Sequence, residues 1–319
     1  MTDCKVNVII PTLRGLNWLP SCLESLQKQT FLEFDITVVD NASTDGTSNL
    51  LAEYGKYGNV HVIRNTVNRG FAEACNQGIR SGRAPFVALL NDDTEVFPTW
   101  LEALVTKMQD DIGACASLMV YADQPTVVQS AGIAMDRAAI AWDRLCGQPV
   151  HVAQTPCEVF GASGGAALYR RAMLDEIGLF DARFFAYLED VDLAWRAQCA
   201  GWRCNYVPQA VVQHKTSATS GAGSAFKYEL LGRNKMWLIA KNARWQDLPV
   251  IAAYDAMGIL WAGIARGEWS HLRGRIAGIS KISQFKNQPK CNKRLTVIDR
   301  VVFDLAYLCS PFDARLTFW

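Results

Sequence analysis

The sequence predicts an α/β fold, a mostly parallel sheet with helices on both faces. Three observations lead there. Short apolar runs alternate with helix-like stretches between residues 6 and 90, turn residues bound each run, and the best-defined runs end in polar or acidic residues that would share one rim.

Val6 to Ile10 is an apolar run ended by Pro11, and Asp35 to Val39 is a second, ended by Asp40 and Asn41. The helix-like stretch from Trp18 to Gln29 between them completes a βαβ unit. Ser43 to Gly46 reads as a turn, Thr47 to Tyr54 as a helix, Val60 to Arg64 as a third strand and Glu73 to Arg80 as a further helix. Phe86 to Leu90 is a fourth strand, apolar throughout and followed by Asn91-Asp92-Asp93. Ligands of such sheets sit beyond the carboxyl ends of the strands, where Pro11-Thr12, Asp40-Asn41 and Asn91-Asp92-Asp93 gather.

After about residue 115 the pattern loosens, with Pro125, Gly132 and Gly147 punctuating segments that leave room for antiparallel strands. Phe160 to Gly165 is glycine-rich, Ala166 to Arg170 strand-like, Leu188 to Ala200 helical with Gly201 as its stop, and Cys204 to Val207 a last strand. From Phe226 the chain reads as helical and carries tryptophans at 237, 245, 261 and 269.

A chain of 319 residues, 50% hydrophobic and with a net charge of +1, has enough apolar material for a sizeable core. It is neither a disordered polyelectrolyte nor a nucleic-acid binder by overall charge. Its ten cysteines form no C-x-x-C pair, so free thiols and a reducing cytosolic setting are expected. Met1 to Lys5 runs straight into a strand without the pattern of a signal peptide. No window supplies the roughly 20 uninterrupted apolar residues of a membrane-spanning helix. The nearest, Leu248 to Ala265, is interrupted by Asp255 and reads as a buried or interfacial helix.

Four segments carry chemistry. Adjacent carboxylates at a strand end, Asp92 and Asp93, repel unless a cation or hydrogen bonds compensate, and such hard oxygens suit Mg²⁺ or Mn²⁺; a surface turn or helix cap is the plainer reading. Asp40 directly after a buried strand can accept from a nucleobase N–H, or with Ser43 can merely shape the turn. Asn68-Arg69-Gly70 turns into a helix whose N-terminus, with Arg69, suits a diphosphate. Glu189, Asp190 and Asp192 crowd one helix start, where they favour the helix dipole; the flanking aromatic surface can also desolvate one of them into a general base.

In this order, Val8-Ile9-Ile10-Pro11-Thr12, V-D-N-A-S-T-D-G-T, N-R-G-F-A-x-x-x-N, L-L-N-D-D-T, G-G-A-A-L-Y-R-R and E-D-V-D-L-A-W-R-A-x-x-A-G-W-R resemble the inverting family 2 glycosyltransferases. The resemblance runs from Val6 to about Ser217. It implies the nucleotide-sugar transferase fold called GT-A, a Rossmann-like mixed sheet flanked by helices, here with a helical C-terminal extension. A catalytic domain over residues 1–225 is expected, with a nucleotide-sugar-binding half (1–115) and an acceptor and catalytic-base half (116–225), followed by a helical region over 226–319.

The resemblance also implies roles. Asp40 matches the contact to the donor base, with Pro11 and Thr12 lining that pocket and Asn41 and Ser43 in the same turn. Asn68, Arg69 and Gly70 belong to the donor site. Asp93 matches the metal-reaching end of a D-x-D signature, and Asp92 sits where ribose or sugar contacts fall. Asn91 replaces the first aspartate of that signature, as in the rhamnosyltransferase-like branch. His214 matches a histidine near metal and diphosphate, and Gly164 and Gly165 let the backbone approach the donor sugar or acceptor. Asp190 matches the general base, with Glu189 as second candidate. Implied partners are a UDP- or dTDP-sugar carrying rhamnose or a hexose, a glycan or lipid-linked glycan acceptor, Mg²⁺ or Mn²⁺, and no nucleic acid.

For the C-terminal region two readings stand. Tryptophans beside Arg266, Arg273, Arg275, Lys281, Lys286, Lys290, Lys293 and Arg294 suit an interfacial helix on anionic lipid at the cytoplasmic face of the inner membrane, or a helical cap with a solvated basic face. Two other functions compete: a sugar-phosphate nucleotidyltransferase, whose glycine-rich loop with Arg and Lys after the first strand is missing, and a non-catalytic nucleotide-sugar-binding subunit, which needs no Asp93, Glu189 and Asp190 together.

Overall fold

The computed structural model describes residues 4–56, 58–215, 224–267, 269–285 and 295. The first half contains strands β1 (Val6–Thr12), β2 (Phe34–Asp40), β3 (Val60–Arg64), β4 (Phe86–Leu90), β5 (Thr94–Val96) and β6 (Ile112–Tyr121), with helices α1 (Leu19–Gln27), α2 (Thr47–Tyr54), α3 (Phe71–Ser81) and α4 (Trp100–Val105). Strands β7 (Val128–Ser130), β8 (Ile133–Met135), β9 (Ala141–Asp143), β10 (Cys157–Val159), β11 (Ala166–Arg170) and β12 (Arg203–His214) follow, with α5 (Arg171–Ile177) and α6 (Glu189–Ala200). Helices α7 (Ala225–Asn242), α8 (Leu248–Arg266) and α9 (Ser270–Ser280) come last.

One ten-stranded sheet in the order β10-β12-β6-β11-β4-β1-β2-β3, with β5 on β12 and β7 on β6, organises the chain. Its β4-β1-β2-β3 half is parallel, as the alternation predicts. Every residue of β1 is buried, because a central strand with helices on both faces has no solvent side. Ile9 and Ile10 are fully buried, each contributing about 1.5–3 kcal/mol to folding. One apolar cluster joins α1 and α4 to one face, and a second joins α3, α5 and α6 to the other.

Parallel order stops at β4, whose other neighbour β11 runs antiparallel and separates it from the parallel pair β6 and β12. The sheet is therefore mixed. Strand β12 also continues seven residues beyond the expected end at Val207. Pro208 lacks an N–H, and the ladder absorbs it as a register shift between Val207 and Val211 before pairing resumes. That continuation sets His214 opposite Thr94 of β5, beside Asp93.

The C-terminal helices cross closely. A Cβ on Gly232 of α7 would lie 2.4 Å from the His271 carbonyl oxygen of α9, and one on Gly274 would lie 2.2 Å from that of Glu229, so only glycine permits this approach. Asp255 of α8 accepts both Arg275 Nε and Nη2 at 2.6 Å and Lys235 Nζ at 2.8 Å, tying α7, α8 and α9 together in a buried ion cluster. Arg275 was expected on a basic surface; it is buried because this acid is its partner. Asp255→Ala would strand two buried cations and is expected to cost about 3–5 kcal/mol, read as a lower denaturation midpoint. An unchanged midpoint would show that the cluster adds nothing. Lys286, Lys290, Lys293 and Arg294 lie outside the described residues. Seven of the described cysteines are free as expected, whereas Cys199 is disulfide-bonded.

Candidate active site

The carboxyl ends of β1, β2 and β4 form one rim. Thr12 stands in register with Asp40, and the Thr12 hydroxyl donates to Asp92 Oδ2 at 2.5 Å. Asp92 is buried, which pushes its carboxyl up to about 7; the Thr12 hydroxyl opposes that shift and the Asp93 charge adds to it.

Asp93 is also buried, and its Oδ1 lies 3.0 Å from His214 Nε2. His214 Nδ1 is 2.8 Å from Gln129 Oε1, so the glutamine amide fixes the orientation of the ring. With Nδ1 donating to that oxygen, a neutral ring would have Nε2 free to act as a metal ligand beside the carboxylate. Two ligands at right angles, each about 2.1 Å from an octahedral ion, stand about 3.0 Å apart, so one oxygen and one imidazole nitrogen at this separation fit a divalent cation. No group of three or more His, Cys, Asp or Glu side chains poised for a metal occurs among the described residues. The pair therefore leaves most of an ion's coordination sphere to other ligands. Asn91 holds the strand end in place: its N–H donates to the Gly165 carbonyl at 2.9 Å and its carbonyl accepts from the Thr94 hydroxyl at 2.6 Å.

The donor-side turns are tightly bonded among themselves. Asp40 is 2% exposed, accepting from the Ser43 N–H at 2.9 Å and from the Ser48 hydroxyl. A base contact must share those oxygens, each of which has a further lone pair. The Ser43 hydroxyl accepts from the Arg14 N–H at 2.9 Å, locking the turn after β2 to the turn after β1. Asn41 is a structural hub: Oδ1 accepts from Arg69 N–H and Asn65 Nδ2, while Nδ2 donates to Asn68 Oδ1 and the Gly70 carbonyl. Asn68 is spent on the same turn, also accepting from the Gly70 N–H, whereas Arg69 is exposed beside the start of α3. Pro11 is buried within β1.

On the other side of the rim, Gly164 N–H donates to Asp190 Oδ2 at 3.0 Å, and Val191 N–H donates to Oδ1 at 2.8 Å. Burial raises the Asp190 carboxyl above its ordinary value, and these backbone donors oppose the rise. Glu189 differs sharply: it is 4% exposed, its Oε2 has no partner, and burial followed by the Asp190 charge drives its pKa well up. Asp190 is part-exposed and reachable; Glu189 is not. Asp192 faces the protein, bound by Arg196, Lys241 and Asn242. Gly164 and Gly165 thus link the base candidate to the acidic rim, one residue bonded to Asp190 and the next to Asn91.

Two residues of this site carried no signal in the sequence. Gln129 orients His214, and Asp143, pushed by burial to about 6 with the Asp190 charge adding, lies within electrostatic reach of Asp190 and His214. Both come from the irregular stretch after β6, where no motif marks them.

The mixed sheet flanked by helices is the GT-A type of fold. The chain belongs to glycosyl transferase family 2, whose sequence model matches residues 7–178, more than half of its length. It is 29% identical over 279 residues to the N-acetylglucosaminyl-diphospho-decaprenol L-rhamnosyltransferase of Mycobacterium tuberculosis, covering 78% of this chain and 89% of that protein. It is 28% identical over 230 residues to the protein y4gI of Sinorhizobium fredii, of whose length it spans 25% and of its own 68%. The crystal structure of GalNAc-T7 with UDP, GalNAc and Mn²⁺ superposes at a TM-score of 0.62 with 18% identity, over 89% of this chain and 55% of that one. At that identity the likeness concerns the fold.

Proposed function

We propose that this glycosyltransferase moves rhamnose or a hexose from a dTDP- or UDP-sugar to a hydroxyl of a lipid-linked glycan, with inversion at the anomeric carbon. The observation that carries the proposal is the Gly164–Gly165 bridge, which brings a reachable carboxylate with raised basicity to the rim holding Asp92, Asp93 and His214.

In this reading Asp190 accepts the proton of the attacking hydroxyl. Asp40 reads the imide N–H of uracil or thymine, Asp92 with Thr12 meets the ribose or sugar, and the α3 N-terminus with Arg69 meets the diphosphate. Asp93 and His214 would hold Mg²⁺ or Mn²⁺, which supplies charge neutralisation of the departing diphosphate. Rhamnose and a polyprenyl-diphosphate acceptor are favoured by the mycobacterial relative's name.

Residues 1–225 would form the catalytic part, and the helices after it an acceptor side that meets lipid. Trp245–Ile264 is long and apolar enough to cross a membrane by length and composition, yet only 22% of its apolar window is buried. Within α8 the one charge before Arg266 is Asp255, which points inward, while Val250, Met257, Leu260 and Ile264 are exposed. That inverted pattern supports peripheral docking at the cytoplasmic face of a membrane.

The experiment supplies dTDP-rhamnose or UDP-hexoses with a vesicle-embedded N-acetylglucosaminyl diphospho-polyprenol. Transfer with inverted configuration and co-flotation of the protein with the vesicles are expected. Retained configuration would overturn the single-displacement mechanism, and transfer without vesicle binding would overturn the docking face.

A further inference from the structure

The segment that delivers Asp190 is held in a conformation its residues do not prefer. Ala186 N–H donates to the Phe184 carbonyl at 2.8 Å, closing a γ-turn on Phe185 at φ 67° and ψ −64°. Tyr187 and Leu188 follow at φ 71° and 65°. Three non-glycine residues with positive φ in four positions are strained, and such strain persists only where surroundings over-determine it.

The surroundings are Asn234 of α7. This residue is fully buried, and its Nδ2 group donates to the carbonyls of Phe184 at 3.0 Å, Ala186 at 2.8 Å and Tyr187 at 2.7 Å. Arg233 secures it from beside: Nε donates to Asn234 Oδ1 at 2.9 Å and Nη2 to the Phe184 carbonyl at 2.7 Å. Across the loop, the Phe185 carbonyl accepts from Ala72 N–H at 3.1 Å. A Cβ on Gly70 would lie 2.5 Å from Phe185 Cδ2, so the donor-side turn abuts the same loop.

We propose that Asn234 is a positioning residue: from the C-terminal helical region it clamps the strained loop of residues 184–188, and so sets both the aim of Asp190 and the seat of the Asn68–Gly70 turn. The kinetic part of this inference rests on Asp190 being the base; the structural part does not. An amide suits the role because only a neutral side chain with a two-hydrogen donor group can serve several converging carbonyls without adding a charge.

The test compares the full chain with Asn234→Asp, which keeps the volume but turns oxygens toward the carbonyls, and with the smaller Asn234→Ser in case the first fails to fold. Amide hydrogen exchange is measured without ligand. Exchange over residues 184–192 and at Ala72 is expected to quicken about tenfold or more while the β1 and β2 amides keep their protection, as a local opening requires. In the transfer assay kcat is expected to fall about 10²-fold with the donor KM little changed, since small misplacements of a catalytic group cost about that much. Unchanged exchange at residues 184–192, or acceleration shared evenly with β1 and β2, would overturn the clamp. A loss confined to donor KM would overturn the aiming of Asp190. An unsubstituted chain with no transfer would count against the proposed function, while the exchange data would still decide the clamp.

Discussion

Asp190→Asn is expected to lower sugar transfer by about 10²–10⁴-fold, the usual range for removing a general base, while nucleotide binding stays unchanged. The substitution preserves shape, but its single amide oxygen can serve only one of the Gly164 and Val191 N–H groups, which now donate to different oxygens, so the other must turn to water. What it removes is basicity. Because burial raises the Asp190 carboxyl above an ordinary aspartate, the unsubstituted enzyme should also lose turnover on acidification at a higher pH than a solvated aspartate would dictate. The sign follows from the role: the deprotonated form is active, so the rate falls as pH drops through the raised pKa. Initial rates of Asp190→Asn near the unsubstituted value, or a profile flat down to the ordinary aspartate range, would remove Asp190 from the base role.

The second large effect is expected at Asp93. Asp93→Ala leaves His214 Nε2 without its neighbouring oxygen and should weaken Mn²⁺-dependent nucleotide binding by about 10–100-fold, the scale on which groups around a metal alter its affinity. Metal-independent binding should barely change, because Asp40, Asn41 and Ser43 are organised by their own hydrogen bonds and not by Asp93. Calorimetry with and without Mn²⁺ separates the two, and equal losses in both arms would mean that Asp93 supports the fold of the rim instead.

The parallel half of the fold was legible because its strands obey local rules. β1, β2 and β4 are almost wholly buried and end in turn residues, and the bounds of α2, β3, β4 and β11 agree with the sequence pattern. β6 was not legible, since Gly113 to Ser117 is a run of small residues without bulk or alternation. Its burial comes from tertiary closeness: a Cβ on Gly113 would lie 2.4 Å from Met173 Sδ. The antiparallel insertion of β11 is likewise non-local.

The site divides in the same way. Carboxylates at strand ends and at the α6 start announce themselves by position, and the structure brings them to one rim. Side chains that organise those carboxylates do not. Asn41 reads as a ligand contact in the sequence and is a turn hub in the structure, while Gln129 and Asn234 act across 85 and about 50 residues of chain through partners no spacing rule reveals. Exposed apolar residues on α8 are similarly invisible until the ion cluster at Asp255 fixes which face turns inward.

The most direct test of the central claim, a nucleotide-sugar site built on the Asp40 turn and the Asp93–His214 pair, is calorimetric titration of the purified protein with UDP and dTDP, first with Mn²⁺ and then with EDTA. The account predicts saturable binding of at least one nucleotide that weakens strongly when the metal is removed; no binding of either nucleotide, or binding indifferent to EDTA, would contradict it.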